Sequence, residues 1–196
     1  MEKINFIKTF IPQGDFREKY EHGGMMVRHL AAVLDEKMGA YECYECTVPI
    51  GEYDEGEIQK AFVEFSARMD ALKLKQAKAD KIAEISAYDT SDKVNGFILN
   101  GLLVWLDKAT RVGLMNSTTI AKAAGQQTTT LWLGGIKLVV DCDKAIQLLS
   151  ALEMYALECF NVTASHKQAV SELTTIEEVE AYDYKSGYPK MLEMSV

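Results

Sequence analysis

The sequence predicts an α+β fold with a small mixed N-terminal unit, a long connecting amphipathic helix, and a C-terminal module of two β-hairpins packed with helices. Three observations predict it. Two runs rich in apolar and β-branched residues are each split by a two-residue turn signal, Asn100-Gly101 and Gly134-Gly135, whose tolerance of positive φ suits tight hairpins. Apolar residues from Ile58 to Leu72 recur in alternating steps of four and three, as on one face of a helix. A second stripe, Ala145, Leu148, Leu149, Leu152, Tyr155, Ala156 and Cys159, is wide enough to cover a sheet. The expected divisions are an N-terminal α/β unit at 1–54, a connecting helix at 55–86 and the hairpin-and-helix module at 87–196.

In the first division, Lys3 to Phe10 and Ala40 to Ile50 read as strands. Met25 to Lys37 has helical spacing, with Met26, Leu30, Val33 and Leu34 on one face, His29 beside them and Gly39 as a stop. Pro12-Gln13-Gly14 and Gly23-Gly24 read as turns, and Pro49-Ile50-Gly51 closes the second strand. The helix that follows carries a heptad-like seam of Ile58, Phe62, Phe65, Met69 and Leu72, continued weakly by Gln76, Ala79 and Ala83. These first five residues are the candidate oligomer interface. The same spacing also fits a helix lying on its own domain.

The module opens with the hairpin Phe97 to Leu106. Asp107 should cap a helix running to about Ala124, with Gly125 ending it and Asn116-Ser-Thr-Thr119 as a possible interruption. The second hairpin, Thr128 to Val140, can share a sheet with the first. Asp141 or Asp143 should cap the helix bearing the Ala145 to Cys159 stripe, which Asn161-Val-Thr-Ala-Ser165 breaks or restarts, leaving a short helix from His166 to Leu173. Thr175-Ile-Glu-Glu178 has capping-box spacing for a last helix before Gly187-Tyr-Pro189 turns the chain out.

No motif points to catalysis. Cys43 and Cys46 have a metal or redox spacing, but strand alternation puts the two thiols on opposite faces, and Cys142 and Cys159 supply no second pair. All four are read as reduced structural cysteines, with no metal and no cofactor. Adjacent Ser165 and His166 rarely point at each other in a helix. Glu177-Glu178 and Asp141-x-Asp143 have ordinary work at helix starts. Trp105, Trp132, Tyr88, Tyr155 and Tyr182 are read as core aromatics in preference to a ligand-stacking surface.

A net charge of −8, with acids gathered towards the C-terminus, argues against nucleic acid as a partner. No apolar run approaches the ~18–20 residues of a membrane span. Nothing at the N-terminus resembles a signal peptide, so synthesis in a reducing cytoplasm is expected.

The module opens and closes on one phrase, Glu84-Ile-Ser-Ala-Tyr88-Asp89 and Glu178-Val-Glu-Ala-Tyr182-Asp183. The run Lys81 to Gly96, Leu103-Val-Trp105-Leu-Asp-Lys-Ala-Thr-Arg111, Leu131-Trp-Leu133, Leu152-Glu-Met-Tyr-Ala156 and Ile176 to Pro189 together resemble an uncharacterised domain family. That family occurs in phage and prophage structural proteins, especially those of gut Bacteroides and crAss-like phages, encoded near fibre and tail genes. The likeness covers about residues 79–192. It implies a non-enzymatic virion component, head or tail fibre-associated, made in the bacterial host cytoplasm, with other phage structural proteins and further copies of itself as partners. A fibre-assembly chaperone absent from the finished particle and an enzyme acting on host glycan are the alternatives.

Overall fold

The computed structural model describes residues 4–11, 17–19, 24–35 and 40–196. Pro12-Gln13-Gly14, His22, Gly23 and Gly39 lie outside them. The described chain is a mixture of helices and small sheets, an α+β fold. Its contacts divide it into two compact units, Met1–Lys73 and Leu74–Val196. The division falls inside the long helix α1 (Glu55–Asp89), so each unit takes one part of it.

The first unit is a four-stranded antiparallel sheet in the order β1-β4-β3-β2, from β1 (Ile7–Ile11), β2 (Arg17–Lys19), β3 (Gly24–Asp35) and β4 (Ala40–Pro49). The helix expected over Met25 to Lys37 is corrected here to the strand β3. β3 pairs with β4 from Gly24↔Pro49 to Asp35↔Ala40, with register shifts between Leu30 and Ala32 and between Val33 and Asp35. Pairing along a whole strand outweighs a weak local period, because strand preference is set by neighbours more than by the segment itself. Cross-strand partners Arg28 and Glu45 are joined by an ion pair at 2.9 Å. Phe6, Val27, Tyr44, Cys46, Val48 and Ile58 make the core, and Phe62, Phe65 and Met69 of α1 pack on it. The helical component of this unit is therefore α1 itself.

In the second unit, the hairpin β5 (Gly96–Leu99) and β6 (Leu102–Trp105) turns through Asn100 and Gly101 at φ 49° and 82°, as a two-residue turn of this hand requires. β9 (Leu192–Met194) adds to β5 in parallel, giving the order β6-β5-β9. The chain thus returns after Gly187-Tyr188-Pro189 to close the sheet edge. The second hairpin, β7 (Thr128–Leu133) and β8 (Ile136–Asp141), does not join this sheet as expected and forms its own. Leu131, Leu133 and Val140 share one core with Phe97, Leu99 and Val104, so the hairpins meet through their apolar faces instead of their edges.

Helix α3 (Lys108–Ala123) runs through Asn116-Ser-Thr-Thr119 without interruption. Helix α4 (Cys142–Glu172) likewise passes Asn161 to Ser165 unbroken and absorbs the short helix expected from His166 to Leu173. The hydroxyls there are satisfied in place: Ser165 Oγ donates to the Asn161 carbonyl at 2.9 Å and Thr163 Oγ1 to Asp89 Oδ1 at 2.8 Å. Asp141 caps α4, accepting from the Asp143 amide at 2.8 Å, and all seven residues of the Ala145 to Cys159 stripe are buried. The repeated phrases come together, since Ile85 of α1 and Val179 of α5 (Ile176–Ala181) share a cluster with Val170. A four-residue helix, α2 (Asp92–Asn95), links α1 to β5. No helix among the described residues is long and apolar enough to cross a membrane.

Candidate functional site

A cleft of about 620 Å³ opens on the second unit where the end of α1, the end of α2, the end of β6, the start of α3 and the middle of α4 converge. That volume is ordinary for a ligand or side-chain pocket. Strand alternation positions its first wall. Val104 and Leu106 are buried, so Trp105 between them points outward and is 41% exposed. Helical spacing positions the opposite wall, because Glu153, Ala156, Leu157 and Phe160 follow one another on one face of α4. Leu157 is 50% and Phe160 60% exposed, high values for large apolar side chains beside a cleft.

The floor is an ion pair. Arg111, one turn into α3, is only 8% exposed and donates through Nε to Glu153 Oε1 and through Nη1 to the Leu106 carbonyl, both at 2.8 Å. A guanidinium shielded in this way is held by fixed acceptors, which ties α3 to α4 across the cleft base. Asp107 begins α3: its carboxylate accepts from the Thr110 amide at 2.8 Å and the Thr110 hydroxyl at 2.6 Å. The Thr110 hydroxyl and amide hold this carboxyl below the usual aspartate range. Asp89, Thr90 and Asn95 complete the polar end, and Asn95 Nδ2 donates to the Asp89 carbonyl at 2.5 Å. Behind them, Thr163 gives its single hydroxyl proton to Asp89, so Tyr188, 2.9 Å from the same oxygen, must be the donor to Thr163.

The site combines a polar end bearing three carboxylates with apolar walls. A general acid needs a carboxyl held protonated, and Asp107 is pushed the other way. Glu153 and Asp89 each have one oxygen committed to a neighbour. The aromatic and aliphatic walls, by contrast, stand ready for an apolar group.

The other sequence candidates fall elsewhere. Ile58 is buried and Phe62, Phe65 and Met69 pack on the first unit's own sheet, while Leu72 is 53% exposed. Phe62 stacks on His29 at 3.7 Å between ring centres, and Phe65 meets Phe6 at 5.3 Å and Tyr44 at 4.9 Å. Covering that an oligomer was expected to supply thus comes largely from within the chain. Cys43 and Cys46 lie on opposite faces of β4, and all four cysteines are buried free thiols. Burial pushes the Cys43, Cys46 and Cys159 thiols up, which disfavours the reactive thiolate. His166 bonds Tyr182 and the Ser186 carbonyl at 2.9 Å each and does not pair with Ser165. Glu178 serves the capping box, and Asp143 pairs with Lys122.

The reading of the tryptophans as core is corrected: Trp105 and Trp132 are both exposed, whereas Tyr155 is buried. Trp105 is the cleft residue that reading set aside. The run Leu102 to Leu106 is apolar throughout, so no alternation in the sequence marked it.

A family described as a domain of unknown function (DUF4376) matches residues 76–186. The chain belongs to that family. Every residue lining the cleft, from Asp89 to Phe160, lies within the DUF4376 region. The match begins close to the division between the units and ends before β9. No curated protein and no solved structure matches the chain.

Proposed function

We propose that this DUF4376 protein is a non-enzymatic phage virion structural component, fibre-associated on head or tail, that assembles with other proteins through the cleft on its second unit. The single observation that carries the assembly role is the exposure of Trp105, Leu157 and Phe160 around one cleft on an ion-paired base. Large apolar side chains gathered at a concave surface are the usual mark of a docking site. The phage setting rests on the sequence resemblance described above. Mass spectrometry of purified particles tests it, with the protein expected at a fixed ratio to the other structural proteins. Presence in infected cells with absence from particles would instead favour the assembly chaperone.

A second reading has its own observation, since Asp89, Asp107 and Glu153 beside a half-exposed Trp105 also resemble a carbohydrate cleft. Release of reducing sugar from host surface glycan by the purified protein would favour that enzyme.

A further inference from the structure

We infer that the cleft captures a protein segment in which an aliphatic or aromatic side chain is followed closely by a lysine or arginine. This deepens the docking role proposed above and rests on it. The apolar part follows from the walls, because Trp105, Leu157 and Phe160 are exposed at one mouth and a single large side chain would shield all three.

The cationic part follows from the balance of groups at the polar end. Asp89, Asp107 and Glu153 line the cleft against Lys108 and Arg111. Arg111 is buried and neutralised by Glu153, so the two aspartates face Lys108 alone. Asp89 and Glu153 each have one oxygen with no partner among the described residues, whereas the Thr90 hydroxyl is already directed at the Ser86 and Ala87 carbonyls. Two carboxylate oxygens are thus open to a cationic donor, and the Trp105 ring adds a face that attracts cations. An acidic guest would meet two carboxylates, and a purely apolar one would leave one of them without a counter-charge.

Trp105 is its own reporter once Trp132, the other of the two tryptophans, is replaced by phenylalanine. Fluorescence titrations of Trp132→Phe full-length protein would use acetyl-Leu-Arg-Phe-Arg-Leu-amide, the same peptide with glutamates for arginines, and maltohexaose. The expected result is saturation by the basic peptide with at least about tenfold preference over the acidic one, weakening as salt is raised. Phe160→Ser should weaken binding by a similar factor. Lys108→Glu, which adds an acid to the first turn of α3 where the helix dipole favours it, should tighten it. Equal binding of the two peptides, preference for the acidic one, saturation by the saccharide alone, or no response to any probe would each overturn the inference. If charge preference is absent while Phe160→Ser still lowers incorporation into particles, only this inference falls and the docking role stands.

Discussion

At the residue scale, burial decides which groups are inert and which are available. The thiols of Cys46 and Cys159 are raised above their ordinary value of 9.0 and the Tyr155 hydroxyl above 10.0, in each case first by loss of water around the charged form. Because the folded state holds these protons more tightly than the unfolded chain, stability should be level up to about pH 9 and fall as pH rises through the raised values. Denaturant midpoints measured from neutral pH to about pH 10.5 check this, and a midpoint that stays constant throughout would contradict the burial assigned to these groups. Trp105 shows how residue-scale legibility failed. Residue type alone suggested core, and only the burial of its neighbours Val104 and Leu106 shows that it points outward. Arg111 was less legible, since a buried arginine is recognised only by its partner 42 residues away.

At the element scale, the turns were the most legible part because their requirement is local. Gly134 and Gly135 both have positive φ, at 57° and 86°, yet an added Cβ would meet Val104 Cγ1 at 2.9 Å at the first and nothing within 4 Å at the second. Both alanine substitutions should cost about 1–2 kcal/mol through the backbone. Gly134→Ala should cost roughly 1–3 kcal/mol more through overpacking. Thermal melts in wild-type and Val104→Ala backgrounds test the cause, since the gap between the two substitutions should narrow when Val104 is trimmed.

Strand β3 was misread because its apolar residues satisfy a helical period by chance, while its pairing with β2 and β4 is not visible within the segment itself. β9 was missed because three residues are too few to show alternation. In α1 the period was read correctly, but the period could not say what covers it. With Phe65 packed between Phe6 and Tyr44, Phe65→Asp should destabilise the first unit by about 3 kcal/mol or more. Hydrogen exchange should then show lost protection across Ala40–Pro49 with the Leu74–Val196 unit unchanged. Retained protection accompanied by dissociation of an assembly would place Phe65 at an interface between copies.

At the scale of the whole molecule, the α+β class was legible because two turn signals and two helical stripes suffice to name it. The division at Lys73 was not, because α1 is continuous there and only the change of packing marks it: Ile58, Phe62, Phe65 and Met69 serve one core, and Leu74, Ala77, Ile82 and Ile85 another. The candidate site was the least legible feature, since it needs residues from five elements spread over Asp89 to Phe160 to be brought together. The proposed role depends on that convergence. Its most direct test is the incorporation of Phe160→Ser protein into particles in place of wild type, because Phe160 is the most exposed of the three apolar wall residues and its change should leave the fold intact. A folded variant depleted at least about tenfold from purified particles, the equivalent of roughly 1.4 kcal/mol of docking energy, is the predicted result. Incorporation equal to wild type would contradict it.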